Sequence, residues 1–446
     1  MIFEKENDMK ILLYNVREYI IFLCGMCGEL DSKNLSIRLN RSRSYVDNTL
    51  ADMKNDKYIR RFRYKASIHS ACLFSSNYTQ IRLKPAGENI LEELAPELFW
   101  HYNLIVPPTK KDENGELSIG RFSGKDVVVR RRRRQSALIQ HFIFNNIRVD
   151  FFEPVFVPSE ESLNIRSIHR THRKTDRPNI FTDIGILKVP NAIMNSGRRW
   201  TANYLSIRTL HKYNITLNAE GKSRLLRSFG LLTRNNIFYV VYMVEILEAA
   251  WQSKDESATL VQIERLFDKL PNCPPAEGMG DAAIVYTPNR EIAFDFLKRV
   301  NDKKRKVRPE EVYKRVCILP IDDADESLET LLLIDSYSTR FTEYILEGLD
   351  ARIETERLYD AIYENQQVFN LIGNDYCKII EAKKQIGKSA AIVIVEEWQE
   401  EAIREFFDNE NLAVWVYSKE EIEDITADLL EDERKEYEDG NKNTRA

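Results

Sequence analysis

The chain has 446 residues, 43% hydrophobic and 30% charged, which is the balance of a water-soluble globular protein long enough for two or three domains. Its most apolar stretch, residues 237–251, falls short of the roughly 18 residues a membrane span needs and carries Glu245 and Glu248, so a spanning helix is excluded. The net charge of −5 hides an asymmetry: residues 1–240 sum to about +15 and 241–446 to about −20, so the front is suited to a polyanion and the rear is not.

In chain order, the first predicted element is a helix over residues 12–26, with Val16, Ile20, Leu23 and Met26 on one face. The stretch Asp31–Arg63 then reads as two short helices and the start of a β-wing. Ser32 caps the first helix, which turns Leu35 and Leu39 inward, with Ile37 flanking them. Asn40 and Arg41 make the turn and Ser42 caps the second helix. Val46, Leu50 and Met53, at spacings of four and three, give that helix one apolar stripe. Its other face carries Arg43, Ser44, Tyr45, Asn48 and Lys54, residue types that reach phosphates and base edges in a major groove. Arg41 and Lys54 are assigned to phosphates, and Arg43, Tyr45 and Asn48 to bases. A strand at 58–65 sets Arg60, Arg61 and Arg63 over the DNA backbone, and return strands are expected at 71–74 and 79–83. Pro85-Ala86-Gly87 breaks the chain before a closing helix over 88–94. These elements describe a winged helix-turn-helix over residues 1–104, whose partner is double-stranded DNA; the competing use of the same fold is protein contact.

A linker is expected over 105–126, on the strength of Pro107-Pro108 and a polar run. Five consecutive arginines, 130–134, then open a helix over 131–147 with Ala137, His141, Phe144 and Ile147 on one side. Arg130, Arg133 and Arg134 could line one side and hold phosphates without reading sequence. Arginines at a helix N-terminus oppose the helix dipole, so a counter-anion is expected there. Strands follow at 151–157, 180–189 and 204–208, and a hairpin at 225–232 and 237–244 turns at Thr233–Asn236. This 127–270 region is read as a nuclease-like α/β domain without activity.

Residues 271–430 alternate strands and helices, as in βαβ units of a largely parallel sheet: strand 282–286, helix 291–300, strand 315–320, and again strand 391–395, helix 400–407, strand 412–417. The two sets share a sequence echo, DAAIVYTPNREIAFDFLK and SAAIVIVEEWQEEAIREFF. Residues 431–446 are expected to be disordered. The fold class is therefore α+β to α/β.

Signs of catalysis are few. Cys24-Gly-Met-Cys27 has the spacing of half a zinc site but sits on an apolar helix face, so buried structural thiols are expected and no metal or other cofactor is invoked. The six scattered cysteines, with no signal-peptide pattern, point to a reducing cytoplasm. His169 and His172 are three apart, not one, which excludes the histidine pair of rolling-circle initiators. Gly221-Lys222-Ser223 and Gly387-Lys388-Ser389 lack an upstream glycine loop, so NTP hydrolysis has no support. Asp183, Glu245 and Lys188 are the weak candidates for a Mg²⁺-dependent endonuclease; Asn179 stands where its first aspartate is expected, and no Asp/Glu-x-Lys follows.

The segments RLNRSRSYVDNTLADMKNDKYIRRF (38–62), IRLKPAGENIL (81–91), RRRRQSALIQHFIFNNIRV (131–149) and RPNIFTDIGIL (177–187) resemble the replication-relaxation family of plasmids and integrative conjugative elements. The resemblance covers about the first 190 residues. It implies a winged helix joined to a nuclease-like sheet and a part in replication, mobilisation (conjugation) or transcription regulation of a mobile genetic element. The expectation is thus a cytoplasmic, sequence-specific duplex DNA-binding protein, more plausibly non-enzymatic, whose α/β region supplies homodimer or transfer-protein contacts. The alternatives are a nickase using Asp183 and an adaptor that recruits relaxase or replisome components.

Overall fold

The structure is a computed structural model and describes residues 16–31, 35, 41–55, 59–63, 79–106, 110–111, 113–114, 117–119, 126–144, 147–150, 203–208, 228–234, 237–244, 282–298, 309–321, 340–354, 357–422 and 424–429. The chain is a mixed α/β protein in two compact units, residues 1–193 with 203–215 and residues 194–202 with 216–446. Neither the expected linker at 105–126 nor the expected boundary at 270 coincides with this division.

The first unit is built around α1 (Val16–Cys27), ten of whose twelve residues are buried. Past Arg17 and Glu18 in its first turn the helix is apolar on every side and needs cover on every side, and α1 packs against α3 (Pro85–Leu94), α4 (Pro96–Ile105) and α5 (Asp126–Phe144). Gly25 permits the crossing: a Cβ there would meet Leu91 Cδ2 at 2.8 Å and Leu98 Cδ2 at 3.2 Å. Gly28, at φ +78°, ends the helix with its N–H bonded to Cys24 O at 2.8 Å. Next come β1 (Leu30–Asp31), α2 (Arg43–Asn55), β2 (Ile59–Arg63) and β3 (Thr79–Leu83). The three strands form an antiparallel sheet in the order β1-β3-β2, with Leu30 opposite Ile81 and Ile59 opposite Leu83.

Three local expectations need correction here. Pro85 does not break the chain but starts α3, and Pro96 starts α4 in the same way, because the first helical residue needs no N–H and proline already has the right φ. The expected linker contains ordered structure, the antiparallel pair β4 (Lys110–Lys111) and β5 (Leu117–Ile119). Helix α5 begins at Asp126, five residues before the expected start. Its buried side is Leu138, Ile139 and Phe142 with Gln135, Ser136 and His141; Ala137 is half-buried and Ile147 lies beyond the helix. The strands β6 (Arg148–Val149) and β7 (Asn203–Ser206) pair in parallel.

In the second unit β8 (Gly230–Arg234) and β9 (Ile237–Met243) form the expected hairpin, Arg234 opposite Ile237. Strands β10 (Ala282–Thr287) and β11 (Arg315–Pro320) continue in parallel from β9, joined through α6 (Arg290–Lys298). A second sheet is mixed, not largely parallel: β12 (Ala351–Ile353), β13 (Ala361–Tyr363) and β14 (Gln366–Asn370) are antiparallel, while β14, β15 (Ala391–Glu396) and β16 (Leu412–Tyr417) are parallel. Helix α7 (Tyr376–Ile386) joins β14 to β15, and α8 (Glu400–Phe407) joins β15 to β16. The two stretches that echo each other in sequence thus both fold as strand–helix–strand. The helices of the two modules touch, with the Phe294 and Trp398 rings 5.3 Å apart and Lys298 Nζ 3.1 Å from Glu405. Asn374 and Asp375 close the outer edge of β11: Asn374 Nδ2 donates to Ile318 O at 2.7 Å, and Asp375 Oδ1 accepts from Val316 N at 3.2 Å.

Candidate nucleic-acid interface

Helix α2 starts as its sequence requires, with Tyr45 N donating to Ser42 Oγ at 3.2 Å. Thr49 returns its hydroxyl to Tyr45 O at 2.9 Å, and Val46, Thr49, Leu50 and Met53 are buried. The remaining positions face outward: Arg43, Ser44, Tyr45, Asn48 and Lys54 are all exposed, Arg43 with 83% of its side chain in solvent. Arg41 is half-buried. Asp47, 3.8 Å from Arg43 and one turn along, and Asp52, 3.3 Å from Arg17 of α1, steady two of the cations but remain exposed, so neither pair adds much stability. The backbone of β2 places Arg60, Arg61 and Arg63 opposite Arg82, Ile81 and Thr79; the side chains of the three β2 arginines lie outside the described residues.

The same unit holds a charge cluster that sequence reasoning missed. Glu29, fully buried beside β1, accepts from Arg82 of β3 through Nε at 3.0 Å and Nη2 at 2.8 Å, and from Arg132 of α5 through Nε at 2.9 Å. Arg208 donates to the carbonyls of Cys27 at 3.0 Å and Arg132 at 2.9 Å, and Ser136 Oγ donates to Cys27 O at 2.8 Å. Burial and neighbouring Arg132 push the Arg208 guanidinium down, while Glu29 works the other way. The loop after β6 is held likewise. Asp150, at φ +48°, accepts from Ser206 N and Ser206 Oγ at 2.7 Å each, and lies 3.5 Å from His101 Nε2. All three side chains are buried, which suits an internal brace and not a reaction centre.

The arginine run is therefore not a solvated helix start. Because α5 begins at Asp126, residues 130–134 fall past its first turn, where the expected conflict with the helix dipole has faded. Arg130, Arg133 and Arg134, expected to line one phosphate-gripping side, are half-buried, and Arg132 is committed to Glu29. Arg131 is pushed below its usual pKa by burial and by Arg134.

The remaining candidates divide into two groups. The first helix expected of the helix-turn-helix, over 32–39, apart from Leu35, and Asp183, Lys188, Glu245, His169 and His172, with the expected strands 71–74, 151–157 and 180–189 and the tail 431–446, lie outside the described residues. Cys24 and Cys27 are fully buried free thiols, and burial pushes both well above the usual thiol range, as it does Cys317 and Cys377. These four cysteines should therefore resist alkylation by iodoacetamide at pH 8 in native buffer and react fully in denaturant, as read by peptide mass mapping. Among the described residues no group of three His, Cys, Asp or Glu side chains is placed to hold a metal ion, and no helix is long and apolar enough to cross a membrane. Comparison with protein-family models, characterised proteins and solved structures gave no match.

Proposed function

We propose that the chain binds duplex DNA sequence-specifically, with α1–β3 acting as a winged helix-turn-helix, and that it serves a mobile genetic element of the replication-relaxation kind in replication, mobilisation or transcriptional control. One observation carries the reading: α2 sorts its residues into a buried apolar stripe and an exposed face of Arg43, Ser44, Tyr45, Asn48 and Lys54, which it shares with Asp47 and Asp52. The antiparallel β2–β3 pair that follows α2 supplies the wing, and the positive front half of the chain, about +15, supplies the attraction to phosphate.

The test is selection from a random duplex pool with the full chain, followed by affinity measurements on the enriched site. Arg43→Ala should weaken that site by about 5- to 150-fold while leaving unrelated duplexes little changed, the loss of about 1–3 kcal/mol expected for a base contact. Lys54→Ala should weaken all duplexes alike and flatten the dependence of log K on log salt by about one unit. A pool that yields no enriched sequence would refute the proposal.

A further inference from the structure

We propose that the outer edge of β16 is a homodimer interface at which two copies of the chain join their second-unit sheets antiparallel, independently of the DNA reading. An open strand edge is a template for further pairing, and proteins that must not pair there shorten it, charge it or cover it. The edges in this unit are treated unequally. The outer edge of β11 is closed by Asn374 and Asp375. At the far side of the second sheet β12 is only three residues long and carries Arg352, 72% exposed. Among the described residues β16 has none of these protections. Its six residues, LAVWVY, carry no charge, proline or glycine, and among the described residues no strand pairs with it on the side away from β15, where Leu412 N donates to Asn409 O at 3.2 Å. Both of its faces are otherwise provided for: Ala413, Trp415 and Tyr417 pack on the core of Phe341, Ile422 and Ile425, and the strand also contacts α8.

The occupant follows from the order of residues along the strand. Antiparallel pairing of identical strands requires a two-fold axis through one residue pair, so that the same patch serves both sides. With the axis at Val414, Ala413 stands opposite Trp415, the smallest side chain of the strand against the largest, and Leu412 stands opposite Val416. Within the paired stretch Leu412–Tyr417 no residue is charged, so no charge meets its like there. β16 is thus complementary to itself in shape. Two acidic halves of about −20 each repel at a distance, so the dimer is tightest where salt screens them.

Sedimentation or light scattering of the full chain at about 0.3 M salt and tens of micromolar protein tests this. The expected mass is about twice the 52.3 kDa of one chain. Val414→Lys, which sets two cations against each other on the axis, should return the mass to one chain while the circular dichroism spectrum stays that of the native fold. Val414→Cys should give a covalent dimer under mild oxidation, absent from the native chain, because only a residue on the axis meets its own copy. A native chain that stays monomeric at about 100 µM would overturn the proposal. So would a dimer in which Val414→Cys fails to cross-link. If Val414→Lys disturbs the fold, the cysteine variant alone decides.

Discussion

Glu29→Gln is expected to lower the unfolding midpoint of the first unit by about 6–20 °C, the largest effect of any single substitution considered. One carboxylate, wholly out of water, is shared by Arg82 from β3 and Arg132 from α5. A glutamine keeps the shape but removes the charge and turns half of the acceptor into a donor, so two guanidinium groups lose their counter-ion. Breaking a buried pair in this way costs about 3–5 kcal/mol, and a unit of about 200 residues loses about 2–4 °C per kcal/mol. The exposed Arg17–Asp52 pair at 3.3 Å is the internal control: Arg17→Ala removes an ion pair of similar length and should shift the midpoint by no more than about 4 °C. Calorimetry of the two variants side by side decides the matter. A Glu29→Gln midpoint within 2 °C of the native one would mean that the cluster adds nothing to stability.

What could and could not be read from the sequence follows the range of the forces involved. The faces of α2 were legible because a serine cap and a 3.6-residue stripe are both written within a dozen residues, and the structure returns Val46, Leu50 and Met53 to the interior. Strands β11 and β16 and helix α8 fall on their expected bounds for the same reason: continuous apolar runs bracket a short amphipathic helix. Helix α5 was misplaced because Val127, Val128 and Val129 are β-branched and disfavour a helix start locally; packing on α1 and β1 overrides that weak preference. The partner of Arg132 could not be found locally at all, since Glu29 lies 103 residues away in the chain. A run of arginines looks like a solvated or nucleic-acid-binding face until the one acid that draws part of it inward is placed beside it.

The same contacts predict that residues 1–104 do not fold alone, although they hold the whole expected DNA-binding domain. Past its first turn α1 is apolar around its circumference, and part of its cover comes from α5, which begins at Asp126. Truncation would return the uncovered side to water at about 1.5–3 kcal/mol for each large apolar side chain exposed. It would also leave Glu29 with one guanidinium in place of two, and remove the Ser136 and Arg208 donors from the Cys27 carbonyl at the end of α1. These losses together equal or exceed the about 5–15 kcal/mol by which a domain is stable. The fragment should therefore show no cooperative thermal transition by circular dichroism and no specific DNA affinity, whereas the full chain, on the function proposed above, should show both. Arg43→Ala in the full chain separates the two causes: it should weaken the selected site by about the same 5- to 150-fold and leave the transition intact, because Arg43 is exposed and pairs, among the described residues, with the exposed Asp47. A fragment 1–104 that melts cooperatively would mean instead that α3 and α4 suffice to cover α1, and that α5 docks onto a domain already formed.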